Sequence, residues 1–155
     1  MPNHFHFMIQ PKPEGCKSIV LKEKISHLQI LSKTIGKTLS SYTQAINIEN
    51  NTTGNLFQKK TKAKCLTNEL IIEPCYTYID YLLNCFHYIH QNPVKAKIVT
   101  NPKYWSFSSW QDYYGIRNGT LCNKQMAMER MGLSHLDFRI IKEFKTDPKI
   151  IERIW

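Results

Sequence analysis

The 155-residue chain contains no CxxC pair among its five cysteines, Cys16, Cys65, Cys75, Cys85 and Cys122, and their number is odd. That usage argues against a disulfide framework and for reduced thiols in the cytoplasm. The start lacks the basic segment and apolar run of a signal peptide. No stretch approaches the roughly 20 apolar residues that span a bilayer, so no membrane partner is expected. Low-complexity tracts and internal repeats are also missing, and with 42% hydrophobic residues the chain is expected to fold as a globular protein. Acidic residues are scarce, 12 against 21 lysines and arginines, which gives a formal charge of +9. Such an excess suits a polyanionic partner, because cations clustered on a phosphate backbone release counterions. A lysine-rich proteome would give the same balance.

At the N-terminus, "MPNHFHFMIQ" sets Asn3, Phe5, Phe7 and Ile9 in alternation with His4, His6, Met8 and Gln10. This is the period of a half-buried β-strand, with Phe5 and Phe7 in a core and both imidazoles on the other face, about 7 Å apart. Two side chains across that gap can grip one divalent cation. Two surface histidines on an edge strand would look the same.

Next, Ile25, Leu28, Leu31, Ile35, Leu39, Tyr42 and Ile46 recur at steps of three and four, predicting a long amphipathic helix ended by the polar run "NIENNTTGN". Read as a strand, "LFQKKTKAKCL" lines Lys60, Lys62 and Lys64 along one face, as a phosphate-binding stripe or as a solvated edge. "CYTYIDYLLNCFHYIHQNP" predicts a second helix with Tyr76, Ile79, Leu83, Phe86 and Ile89 buried, and Pro93 ending or kinking it. After an aromatic connection holding Trp105, Phe107, Trp110, Tyr113 and Tyr114, two short helices are predicted. Gly132 caps the first, and Asp147 with Pro148 starts the second.

Chemistry concentrates on the second helix. Tyr81, Asn84, Tyr88 and Asn92 share a face away from the expected buried stripe, and Tyr88 and Asn92 are four residues apart. A tyrosine hydroxyl is a weak nucleophile alone, so attack on a phosphodiester needs a metal and charge stabilisation. His4, His6 and the Asn92 amide oxygen form a mixed donor set that suits Mg²⁺ or Mn²⁺ better than a closed zinc site. His87 and His90 are a rival pair, but His90 lies about 200° from Tyr88 around the helix, whereas Asn92 lies about 40° from it. Both are expected to be structural or weakly DNA-facing.

"MPNHFHFMI", "GNLFQKKTKAKCL", "YIHQNPVKAKIV" and "YWSFSSWQDYYG" occur in an order that resembles the REP-associated tyrosine transposases (RAYT), a branch of the single-tyrosine HUH transposases. The resemblance covers roughly residues 1–115. It implies a ferredoxin-like α+β domain, here N-terminally incomplete because a strand-helix-strand segment would precede the motif, followed by a helical C-terminal tail over 116–155. It further implies that Tyr88 attacks single-stranded DNA beside a hairpin, leaving a 5′-phosphotyrosine and a free 3′-hydroxyl, with His4, His6 and Asn92 as metal ligands. The lysine stripe rests on strand periodicity alone. A DNA-binding module without catalysis is the competing expectation; a metal hydrolase using activated water is a third, which nothing in the sequence favours.

Overall fold

The computed structural model describes residues 5–21, 24–57, 63–66, 77–133 and 146–154. It is a mixed α and β structure in two compact units, Pro2–Lys62 and Ala63–Trp155.

In the first unit a 3₁₀ turn at Pro13–Cys16 leads into an antiparallel hairpin of β1 (Ser18–Leu21) and β2 (Lys24–Gln29). Ser18 pairs with Gln29, Val20 with Ile25 and Leu21 with Lys24, with an irregularity between Ser18 and Val20. Helix α1 (Ile30–Asn50) follows directly, and Asn51 ends it in a left-handed conformation, φ 50°. Three expectations change here. The predicted helix from Ile25 begins only at Ile30, because Ile25 and Leu28 lie in β2, whose ladder with β1 takes up their backbone groups. Residues 5–10 form no strand, since among the described residues no ladder pairs with them. Their alternation is also inverted: His6 and Met8 are half-buried, whereas Phe5, Phe7 and Ile9 are exposed. The phenylalanines cover one another instead of entering a core. Phe5 and Phe7 lie 4.9 Å apart, Phe57 meets Phe5 edge-on at 5.4 Å, and Tyr42 lies 6.0 Å from Phe57. No residue of α1 is fully buried.

The second unit is built around α2 (Tyr78–Lys95). Thr77 starts it with a capping box: its hydroxyl accepts from the Asp80 N–H at 3.2 Å, while the Asp80 carboxylate accepts from the Thr77 N–H at 2.8 Å. Pro93 lies inside the helix and does not end it. It falls in the last turn, where its missing N–H costs only the bond to the Ile89 carbonyl. The chain then turns out through Lys97, φ 57°, with the Ile98 N–H donating back to the Pro93 carbonyl at 2.9 Å. A 3₁₀ turn at Pro102–Tyr104 and the short α3 (Trp110–Tyr113) follow, then α4 (Lys124–Met131) and α5 (Pro148–Ile154). As the sequence predicts, Gly132 caps α4 in a left-handed conformation, φ 63°, and Asp147 precedes α5, its carboxylate accepting from the Lys149 N–H at 2.9 Å. Both α4 and α5 pack on α2. The core joins Tyr81, Leu82, Cys85 and Phe86 of α2 to Met128 and Met131 of α4 and Ile150 of α5. Among the described residues no helix is long and apolar enough to cross a membrane.

Candidate functional site on helix α2

Helix α2 buries more of its circumference than an amphipathic surface helix does. Phe86 is buried as its periodicity predicts, but Ile79, Leu83 and Ile89 are only half-buried, while Tyr81, Asn84, His87, His90 and Asn92 are buried with it. The polar face expected to be open is therefore largely covered, because α4 and α5 pack around the helix. Tyr76 lies outside the described residues.

Along that covered face the side chains are held in distinct ways. The Asn84 amide donates to the Asp80 carbonyl at 2.9 Å, and its oxygen accepts from the Asp147 N–H at 2.7 Å, which ties the start of α5 to α2. The Tyr81 hydroxyl and the Asn92 Nδ2 are buried with no hydrogen-bond partner. Tyr88, between Asn84 and Asn92, is half-buried. Lys95, missing from the sequence-derived set, places its Nζ 5.4 Å from the Tyr88 ring centroid. Its position seven residues after Tyr88 puts it on the same face, and that spacing was the signal available to find it.

The opposite side of α2 is a neutral histidine cluster. One nitrogen of His90, Nδ1, lies 2.8 Å from the Phe86 carbonyl oxygen, so it is the N–H donor, and Nε2 then accepts from the Ser109 hydroxyl at 2.9 Å. Burial depresses His90 to about 4, opposed by its bond to the Phe86 carbonyl. Burial, with His90 nearby, depresses His87 to about 4. The ring of Phe86 packs edge-on against His87, His90 and Tyr113. These histidines face the core, as the structural expectation for them holds. Burial also pushes the Cys85 thiol up to about 12, against the opposing influence of Lys64, and leaves it unreactive. The Tyr113 phenol is likewise pushed up to about 12, mainly by burial.

Below this cluster, Asp112 anchors the aromatic connection. Its buried carboxylate accepts from the Arg117 guanidinium and from the Gly119 N–H at 2.8 Å, and Arg117 also donates to the Ser106 and Ser108 carbonyls, each at 2.8 Å. The hydrogen bonds from Arg117, outweighing the cost of burial, hold Asp112 down to about 2. Of the aromatic residues, Trp110 and Tyr114 stack at 3.8 Å, while Phe107 is 85% exposed.

The remaining sequence-derived residues fall elsewhere. His6 is half-buried in the first unit, and His4 lies outside the described residues. Lys64 is exposed on irregular backbone, so it belongs to no strand; Lys60 and Lys62 lie outside the described residues, and with them the stripe. The structure thus brings together Tyr88, Asn92 and Lys95 on one helix face. A shallow cleft of about 350 Å³ in the first unit, lined by Ser18, Ile19, Val20, Lys33, Thr34 and Lys37, contains none of the expected site residues. Among the described residues no three His, Cys, Asp or Glu side chains gather as a metal site. Comparisons with family models, with curated proteins and with solved structures gave no match.

Proposed function

We propose that this chain cleaves and rejoins single-stranded DNA at hairpin sequences as a transposase, with Tyr88 as the nucleophile, on a ferredoxin-like HUH scaffold such as its resemblance to the REP-associated tyrosine transposases implies. The observation that carries the proposal is the pairing on α2 of a half-buried tyrosine with an asparagine one turn away whose amide is buried and uncommitted at Nδ2. A buried amide normally satisfies its polar atoms within the protein. That Nδ2 is an N–H donor and suits an acceptor such as a non-bridging phosphate oxygen, whereas ligation of a cation by Asn92 would use its Oδ1.

In this reading His4, His6 and the Asn92 amide oxygen would hold Mg²⁺ or Mn²⁺, as the resemblance implies. When bound, Mg²⁺ or Mn²⁺ would polarise the phosphodiester. Tyr88 forms the Oη–P bond as the P–O3′ bond breaks; the phenolic proton leaves to water, and the departing oxygen takes one from water. The product is a 5′-phosphotyrosine with a free 3′-hydroxyl, which can attack the same linkage in reverse and rejoin the strand. The charge of +9 supports a DNA partner, and the cysteine usage supports a cytoplasmic site of action.

A denaturing gel of the protein with labelled hairpin DNA and Mn²⁺ tests this. The wild type is expected to give a covalent adduct that Tyr88→Phe and chelator both abolish. Hairpin binding with no adduct, unaffected by chelator, would instead identify a non-catalytic binding module.

A further inference from the structure

Lys95 is exposed, and its charged end has two contacts. Seven residues at 100° each return it to within about 20° of the direction of Tyr88 on α2. Helical side chains lean toward the N-terminus, so its stem runs back over the phenol. The ammonium lies 5.4 Å from the Tyr88 ring centroid and donates to Thr146 Oγ1 at 3.2 Å. Among the described residues the ion pair is Arg117 with Asp112, and no carboxylate neutralises Lys95. Asp147, next to Thr146, directs its carboxylate to the Lys149 N–H instead. A cation is therefore held beside the phenol with its charge uncommitted.

We propose that Lys95 binds the phosphodiester that Tyr88 attacks. The inference rests on Tyr88 as the nucleophile and adds a residue that touches the substrate. An ammonium carries three donors. One is used by Thr146, leaving two for non-bridging phosphate oxygens, whose negative charge grows as Oη approaches phosphorus. The ring contact keeps its Nζ on the Tyr88 side of the helix.

The test compares Lys95→Gln and Lys95→Arg in the full chain, with a labelled hairpin carrying single-stranded flanks and Mn²⁺. Two quantities are read: the rate of adduct formation, and the salt dependence of equilibrium binding in a Tyr88→Phe background, where no chemistry occurs. Lys95→Gln is expected to slow the adduct at least tenfold and to reduce the slope of log affinity against log salt by about 0.7, the value of one phosphate contact on a single strand. Lys95→Arg should restore both. A wild-type adduct whose rate and salt slope ignore Lys95→Gln overturns the role of Lys95 and leaves Tyr88 standing. A reduced slope with no wild-type adduct supports the phosphate contact and sinks the nuclease. Absence of hairpin binding overturns both.

Discussion

A buried carboxylate decides the conformation of the loop after α3. Asp112 is 4% exposed and is satisfied on both oxygens by Arg117, with the Gly119 N–H as a further donor. A Cβ at position 119 would meet Asp112 Oδ1 at 2.7 Å. The carboxylate cannot retreat without losing its guanidinium, so the requirement for glycine here comes from close approach rather than from backbone conformation. Gly119→Ala is expected to lower unfolding free energy by about 1–3 kcal/mol, measured by urea denaturation, with Gly119→Ser no better. An unchanged midpoint would show that the loop relaxes freely.

At the scale of elements, α5 is held to α2 by one polar and one apolar anchor. The Asp147 N–H is fixed by Asn84, and Ile150 is the most deeply buried large side chain among the described residues, 2% exposed. Ile150→Ala is expected to cost about 2–5 kcal/mol, read as a fall in the thermal midpoint, because the cavity opens where α5 meets the core of α2. The end of α4 and the start of α5 are legible in the sequence, since Gly132 and Asp147-Pro148 act locally through their own backbone. Position within α2 was less legible. Its periodicity marks Phe86, but Tyr81, Asn84 and Asn92 are buried as well, on a helix against which α4 and α5 pack, and nothing within α2 itself encodes those neighbours. Residues 25–29 were ambiguous for a related reason: Ile25 and Leu28, three apart, suit a helix, and only pairing with β1 makes them a strand. Of the candidate site, the adjacency of Tyr88 and Asn92 follows from helix geometry, and the seven-residue spacing sets Lys95 on the same face, but its contact with the Tyr88 ring is visible only in the structure.

Across the whole molecule, the buried histidines make stability depend on pH. His87 and His90 bind protons at about 4 when folded and near 6.5 as free side chains. Between these values the unfolded chain carries more protons, so stability is fully present above 6.5 and is lost as pH falls toward 4. The slope reaches about 1.4 kcal/mol per pH unit for each histidine. Urea midpoints between pH 7 and pH 4.5 should therefore drop in the wild type and drop less in His87→Gln; a flat profile would mean that neither ring is buried in its neutral form. Asp112 adds a second loss at lower pH, between its ordinary value near 3.8 and about 2. Function, too, belongs to this scale, because the proposed chemistry needs a cationic molecule, a DNA strand and a tyrosine in one place. The most direct measurement is mass spectrometry of the protein after incubation with hairpin DNA and Mn²⁺ and digestion by nuclease and protease. A nucleotide remnant linked through phosphate to the peptide containing Tyr88 is the expected result. A remnant on another tyrosine, or none on a protein shown to bind the hairpin, would contradict it.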